Sequence, residues 1–146
     1  MSGEQRPRSI PHPKRPGDLT SGWFVVTIVV WAGVFAGFAA VWAASRQIGL
    51  STWWLGPRAG GRSIMVSLIP FVPGLTMVVA VLARVRYVWI IGLIASLIVV
   101  AIGLVDLGRV ARLGTVEIAL GVAGCAVSLA SWTGTVSTQA RASSDR

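Results

Sequence analysis

Residues 23–45 read WFVVTIVVWAGVFAGFAAVWAAS, and no charged side chain occurs between Asp18 and Arg46. At 1.5 Å of rise per residue, about 20 residues of helix cross the hydrocarbon core of a bilayer, so this stretch has length to spare. Trp23 and Trp42 stand near its two ends, where an indole keeps its apolar body in lipid and its N–H close to water. Thr20 or Ser21 offers a hydroxyl to cap the first turn. The apolar run is about twice the core length of a secretory leader and lacks an A-x-A exit site, so it is expected to stay in the protein.

Three further apolar stretches follow, at about 63–83, 87–105 and 113–133, each bounded by charged residues. Of the 146 residues 54% are hydrophobic and 12% charged, with mean hydropathy +0.74, which excludes an ordinary soluble domain, where about a quarter are charged. Only Arg84, Val85 and Arg86 separate the second stretch from the third, too few for another domain. The expected fold is all-α, an integral membrane four-helix bundle over residues 19–136. A disordered basic arm, 1–18, precedes it, because Pro7, Pro11, Pro13 and Pro16 alternate there with Arg6, Arg8, Lys14 and Arg15. A flexible tail, 137–146, follows.

The second span contains IPFVPG, residues 69–74. Pro70 and Pro73 remove two backbone donors within one turn and Gly74 adds a flexible position, so a kink or break is expected there, a candidate hinge. Carbonyls freed by the break need partners, which turns this face toward protein rather than lipid.

The formal net charge is +8, and twelve of the thirteen basic residues are arginine. They sit at span ends and in both tails, which points to interface anchoring, with anionic-lipid contact as a further role and no nucleic-acid partner. With both termini in the cytoplasm, that side carries eight basic residues (Arg6, Arg8, Lys14, Arg15, Arg84, Arg86, Arg141, Arg146). The other side carries five (Arg46, Arg58, Arg62, Arg109, Arg112), so this orientation is favoured. Scarce lysine with abundant Ala, Val and Gly fits a GC-rich bacterial coding bias, hence an inner or plasma membrane.

Gly33 and Gly37 form a GxxxG pattern in the first span, and Gly121, Gly124 and Ser128 follow Glu117 along one face of the fourth. Both faces are candidate helix-packing or partner contacts. Glu117 stands about one turn inside its span, where an unpaired carboxylate costs several kcal/mol, so a partner is expected. Arg109, Arg112 and the arginines between the first two spans are the candidates for a buried ion pair, with proton-coupled transport or snorkelling to water as alternatives. Asp106 and Arg109 are spaced to form an exposed local pair ending the third span. In the first connection, Trp53 and Trp54 are expected to rest on lipid at the interface, or to serve as a partner-docking loop, while Gly56, Pro57, Gly60 and Gly61 turn the chain.

One cysteine, Cys125, and one histidine, His12, supply neither a disulfide framework nor a metal cluster, and no cofactor is expected. No water-activating pair of residues is evident, so the chain is not expected to be an enzyme. Two functional classes remain. An accessory, assembly or stabilising subunit of a larger membrane complex needs only the lipid bilayer, other integral subunits and small-residue faces. A homo-oligomeric transporter or channel would use Glu117 as its protonatable site and the Pro70–Gly74 break for movement.

Overall fold

The computed structural model describes residues 19–50, 52–56 and 63–133. The expected basic arm, Arg58 and Arg62 of the first connection, and the tail from 137 lie outside the described residues. Four helical spans form an all-α bundle: α1 (Ser21–Ile48), a second span built from α2 (Ile64–Leu68), a 3₁₀ turn (Ile69–Phe71) and α3 (Val72–Leu82), then α4 (Val88–Leu107) and α5 (Ala111–Thr133). These spans of 19 to 28 residues reach about 28 to 42 Å, enough to cross a bilayer, and the chain is a multi-pass membrane protein.

Local chemistry fixes the ends of these spans. Thr20 takes the N-cap position of α1 in extended conformation, but its hydroxyl makes no capping hydrogen bond, in contrast to the expected cap. At the other end Gly49 adopts a left-handed φ of 74°, and its N–H donates to the Ser45 carbonyl at 3.1 Å. Only glycine takes that conformation without a Cβ penalty. The break in the second span falls where IPFVPG places it. Pro70 lies in the 3₁₀ turn and Pro73 in the first turn of α3, where a missing N–H costs least. Pro70, Pro73 and Gly74 are all buried, and Gly74 lies against the backbone of Phe35 on α1.

The spans pack in a ring: α1 against α3 and α5, and α4 against α3 and α5. The core between them holds Trp31, Val34, Phe38, Met77, Val81 and Val99. The closest pair is α4 and α5, joined by a short turn, and glycines set its spacing. A Cβ at Gly114 would meet the Leu107 backbone nitrogen at 2.5 Å, and one at Gly103 would meet the Ile118 nitrogen at 2.8 Å. Backbone thus lies directly on backbone, the approach that small residues permit in lipid.

Candidate functional site: a buried carboxyl pair under the first connection

Two four-residue strings flank the α4–α5 turn, Gly103-Leu-Val-Asp106 and Gly114-Thr-Val-Glu117. Each puts a glycine one helical turn from an acid on the same face. Because the helices run antiparallel, Gly103 comes level with Glu117, and its missing side chain makes room for the Glu117 Cβ, 3.0 Å from where its own Cβ would stand. Asp106 and Glu117 are thereby drawn together between the helices. Both are fully buried, and their carboxyl groups lie within hydrogen-bonding reach of one another.

The first connection closes over this pair. Thr52–Gly56 forms a single turn, closed by the Gly56 N–H donating to the Thr52 carbonyl at 3.1 Å, with Gly56 at φ 66°. That turn aims two successive donors inward. The Trp53 backbone N–H donates to Asp106 Oδ1 at 2.9 Å, and the Trp54 indole Nε1–H donates to Glu117 Oε1 at 3.4 Å. A third tie holds the other side, where Ser67 Oγ on α2 donates to the Trp54 carbonyl at 3.3 Å.

Trp54 is fully buried rather than laid on lipid or displayed to a partner, which corrects the reading of this loop. The reason is an aromatic cluster that the sequence scatters over three elements. Its ring meets Trp42 at 5.9 Å, Phe71 at 6.2 Å and Phe38 at 6.4 Å between centroids, all edge-on. Such pairs each contribute about 0.5–1.5 kcal/mol beyond area burial. The 3₁₀ turn enables this by delivering Phe71, which also contacts Phe35 at 5.2 Å. Trp53 is half-buried.

Asp106 corrects a second expectation. It is no exposed partner of Arg109 but an internal acceptor, and the Arg109 link to it is a backbone one, N–H to the Asp106 carbonyl at 2.9 Å. Arg109 and Arg112 are both exposed. The contacts to Glu117 come from Trp54 and Asp106 in place of the expected ion pair with these arginines.

The small-residue faces divide between inside and outside. Gly121 lies against Val100 and the Ser96 carbonyl, and Gly124 against Ser96 Oγ and the Trp31 ring. Ser128 Oγ turns back to the Gly124 carbonyl at 2.7 Å. Gly37 faces Leu120 of α5. These four therefore serve packing within the chain. Gly33 differs: the space its Cβ would occupy is open to 4 Å.

Sequence reading singled out Glu117 and gave Asp106 to a local pair with Arg109, and it missed Gly103 and Gly114, which bring the two acids together. The paired Gly-x-Val-acid strings on either side of a tight turn were the available signal, since antiparallel pairing across that turn must bring the two acids together. Chemically the site offers two carboxyl groups, an indole N–H and an amide N–H in dry surroundings. Among the described residues no three His, Cys, Asp or Glu side chains gather as a metal set. Comparison with known proteins gives no match to a family model, a curated protein or a solved structure, so the assignment that stands is a membrane-embedded four-helix protein.

Proposed function

We propose that this chain is a non-catalytic accessory or stabilising subunit of a larger bacterial membrane complex, docked through the outward face of α1. One observation carries this reading. Beyond the exposed Val25, Val26 and Val29 of its first half, α1 presents Ala32, Gly33, Ala36, Ala39, Ala40 and Ala43 at helical spacing with Phe35 beside them, and α5 exposes Ala119, Ala123 and Ala126 among Val116, Val122 and Leu129. The outward faces of α3 and α4 instead carry Leu75, Val79 and Leu82, and Ile94, Leu97 and Leu104. Bulky side chains suit lipid, whereas Ala and Gly let another helix's backbone approach closely.

The orientation proposed puts both termini in the cytoplasm of a bacterial inner or plasma membrane. Arg84 and Arg86 then meet anionic headgroups at the inner surface, and the first connection faces outward. The test is purification of the native protein in nanodiscs, with quantitative mass spectrometry of bound proteins, for wild type, Ala36→Leu and the α4 control Leu97→Phe. A partner at fixed ratio that survives Leu97→Phe and is lost in Ala36→Leu is the expected outcome. A folded wild type without any stoichiometric partner would overturn the proposal.

A second reading, a homo-oligomeric transporter or channel, is favoured by the fully buried Glu117 beside Asp106. Ionisable groups at membrane depth mark ion and proton pathways in many proteins. It requires a flux in proteoliposomes that Glu117→Gln abolishes while the protein stays assembled.

A further inference from the structure

Each acid of the buried pair has one oxygen satisfied and one not. Asp106 Oδ1 accepts from the Trp53 N–H and Glu117 Oε1 from the Trp54 indole, while Asp106 Oδ2 and Glu117 Oε2 are buried without a hydrogen-bond partner. Two ionised carboxylates are acceptors only, so neither can satisfy the other. Two like charges in contact away from water are also strongly unfavourable, and pairs of this kind hold one proton in common. A single proton placed between the two orphan oxygens turns one into a donor and the other into its acceptor, and removes one charge.

We propose that Asp106 and Glu117 form a binding site for one proton, held between Asp106 Oδ2 and Glu117 Oε2, which keeps the first connection folded into the bundle. The surroundings decide which acid carries it. The charged groups on the elements around the pair are Arg46 at the end of α1, Arg109 in the α4–α5 turn and Arg112 on α5; the described part of the first connection, α2 and the 3₁₀ turn contribute no titratable side chain. Asp106 accepts the shorter of the two bonds from the first connection, 2.9 Å from the Trp53 N–H against 3.4 Å from the Trp54 indole to Glu117, and a charged acceptor draws the shorter bond. Asp106 is therefore the ionised member, accepting from the Trp53 N–H and from the Glu117 O–H. Glu117 is the acid, donating through Oε2 and accepting the indole N–H at Oε1.

This site is separate from the α1 face of the proposed subunit contact and does not depend on a partner. Removing the proton would leave two charges facing each other beneath Thr52–Gly56, and the connection holding both would open. The site thus ties proton occupancy to the position of Trp54.

Infrared difference spectroscopy of the protein in nanodiscs, recorded from neutral to alkaline pH in sodium-free and sodium-containing buffer, tests the proposal. A protonated-carboxyl carbonyl band is expected in the wild type at neutral pH, shifted in deuterated water and insensitive to sodium. Glu117→Gln, whose amide replaces the O–H donor, should fold and lose the band. Protection of the amides at residues 52–54, taken relative to the free-peptide exchange rate at each pH, should fall in the wild type over the same pH interval in which the band disappears. Absence of the band in the wild type, its persistence in Glu117→Gln, or its appearance only when sodium is withdrawn would each overturn the assignment. The wild-type spectrum decides even if the variant fails to fold.

Discussion

The indole N–H of Trp54, in the first connection, donates to Glu117 on α5, 63 residues further along the chain. This bond joins two parts of the molecule that sequence proximity would never bring together, at a point where neither group reaches water. Trp54→Phe keeps most of the ring packing but leaves Glu117 Oε1 without its donor. The expected loss of stability is about 1–3 kcal/mol, the cost of a buried acceptor left unsatisfied. Trp54→Ala also empties the aromatic cluster and is expected to cost about 3–5 kcal/mol. Unfolding midpoints in a fixed detergent mixture check both, and equal midpoints for wild type and Trp54→Phe would refute the bond's role.

Gly114 and Gly33 should respond in opposite ways to the same substitution. A methyl at Gly114 meets backbone atoms of Leu107 at 2.5 and 2.7 Å, which cannot rotate away, so Gly114→Ala must push α4 and α5 apart. Overpacking of this kind costs about 1–3 kcal/mol. Gly33→Ala meets nothing within 4 Å and removes a glycine from the interior of α1, so the midpoint of the isolated protein should rise, by about 0.5–1 kcal/mol of stability. Thermal unfolding of the two variants side by side is the measurement.

The broken second span makes a further prediction. In Pro70→Ala/Pro73→Ala both missing backbone donors return, and regular α-helix becomes available through residues 69–74. Continuing the helix would rotate Phe71 away from Trp42, Trp54 and Phe38, which it meets at 5.7, 6.2 and 6.3 Å. Near-ultraviolet circular dichroism should weaken while far-ultraviolet helicity holds or rises. An unchanged near-ultraviolet spectrum would show that the prolines do not set the Phe71 position.

Orientation can be read with single cysteines in a Cys125→Ser background. Leu50, just past α1, and Val85, in the α3–α4 turn, are both exposed and flank different membrane faces. A membrane-impermeant maleimide added to intact cells should label Leu50→Cys and spare Val85→Cys until the cells are opened. The reverse pattern would place the termini outside.

The four spans and the break were legible because length, charge placement and proline are local properties of the chain. Gly121, Gly124 and Ser128 were likewise legible as one face, since a helix fixes their relation within its own turns. Trp54 was not. Tryptophan among Gly, Pro and Arg has the composition of an interfacial loop, and what draws it inward is Phe38, Trp42, Phe71 and Glu117 on other elements. Asp106 was misread for a related reason. Three residues before an arginine at the end of an apolar run, it reads as a span terminus, and only the α4–α5 pairing reveals it as an internal group.

The reach of the Trp54–Glu117 bond also orders events in time. Synthesis delivers Trp54 long before its acceptor, so the first connection cannot take up its final place while only α1 and the second span are in the membrane. Its closing contacts, to Asp106 on α4 and Glu117 on α5, both wait for the second helical hairpin. Domains acquire structure progressively during synthesis, and groups whose partners come late stay exposed until then. The Trp54–Glu117 bond, rather than the packing of the ring on Phe38, Trp42 and Phe71, is thus a completion signal: a bundle that shows it has already inserted and paired all four spans.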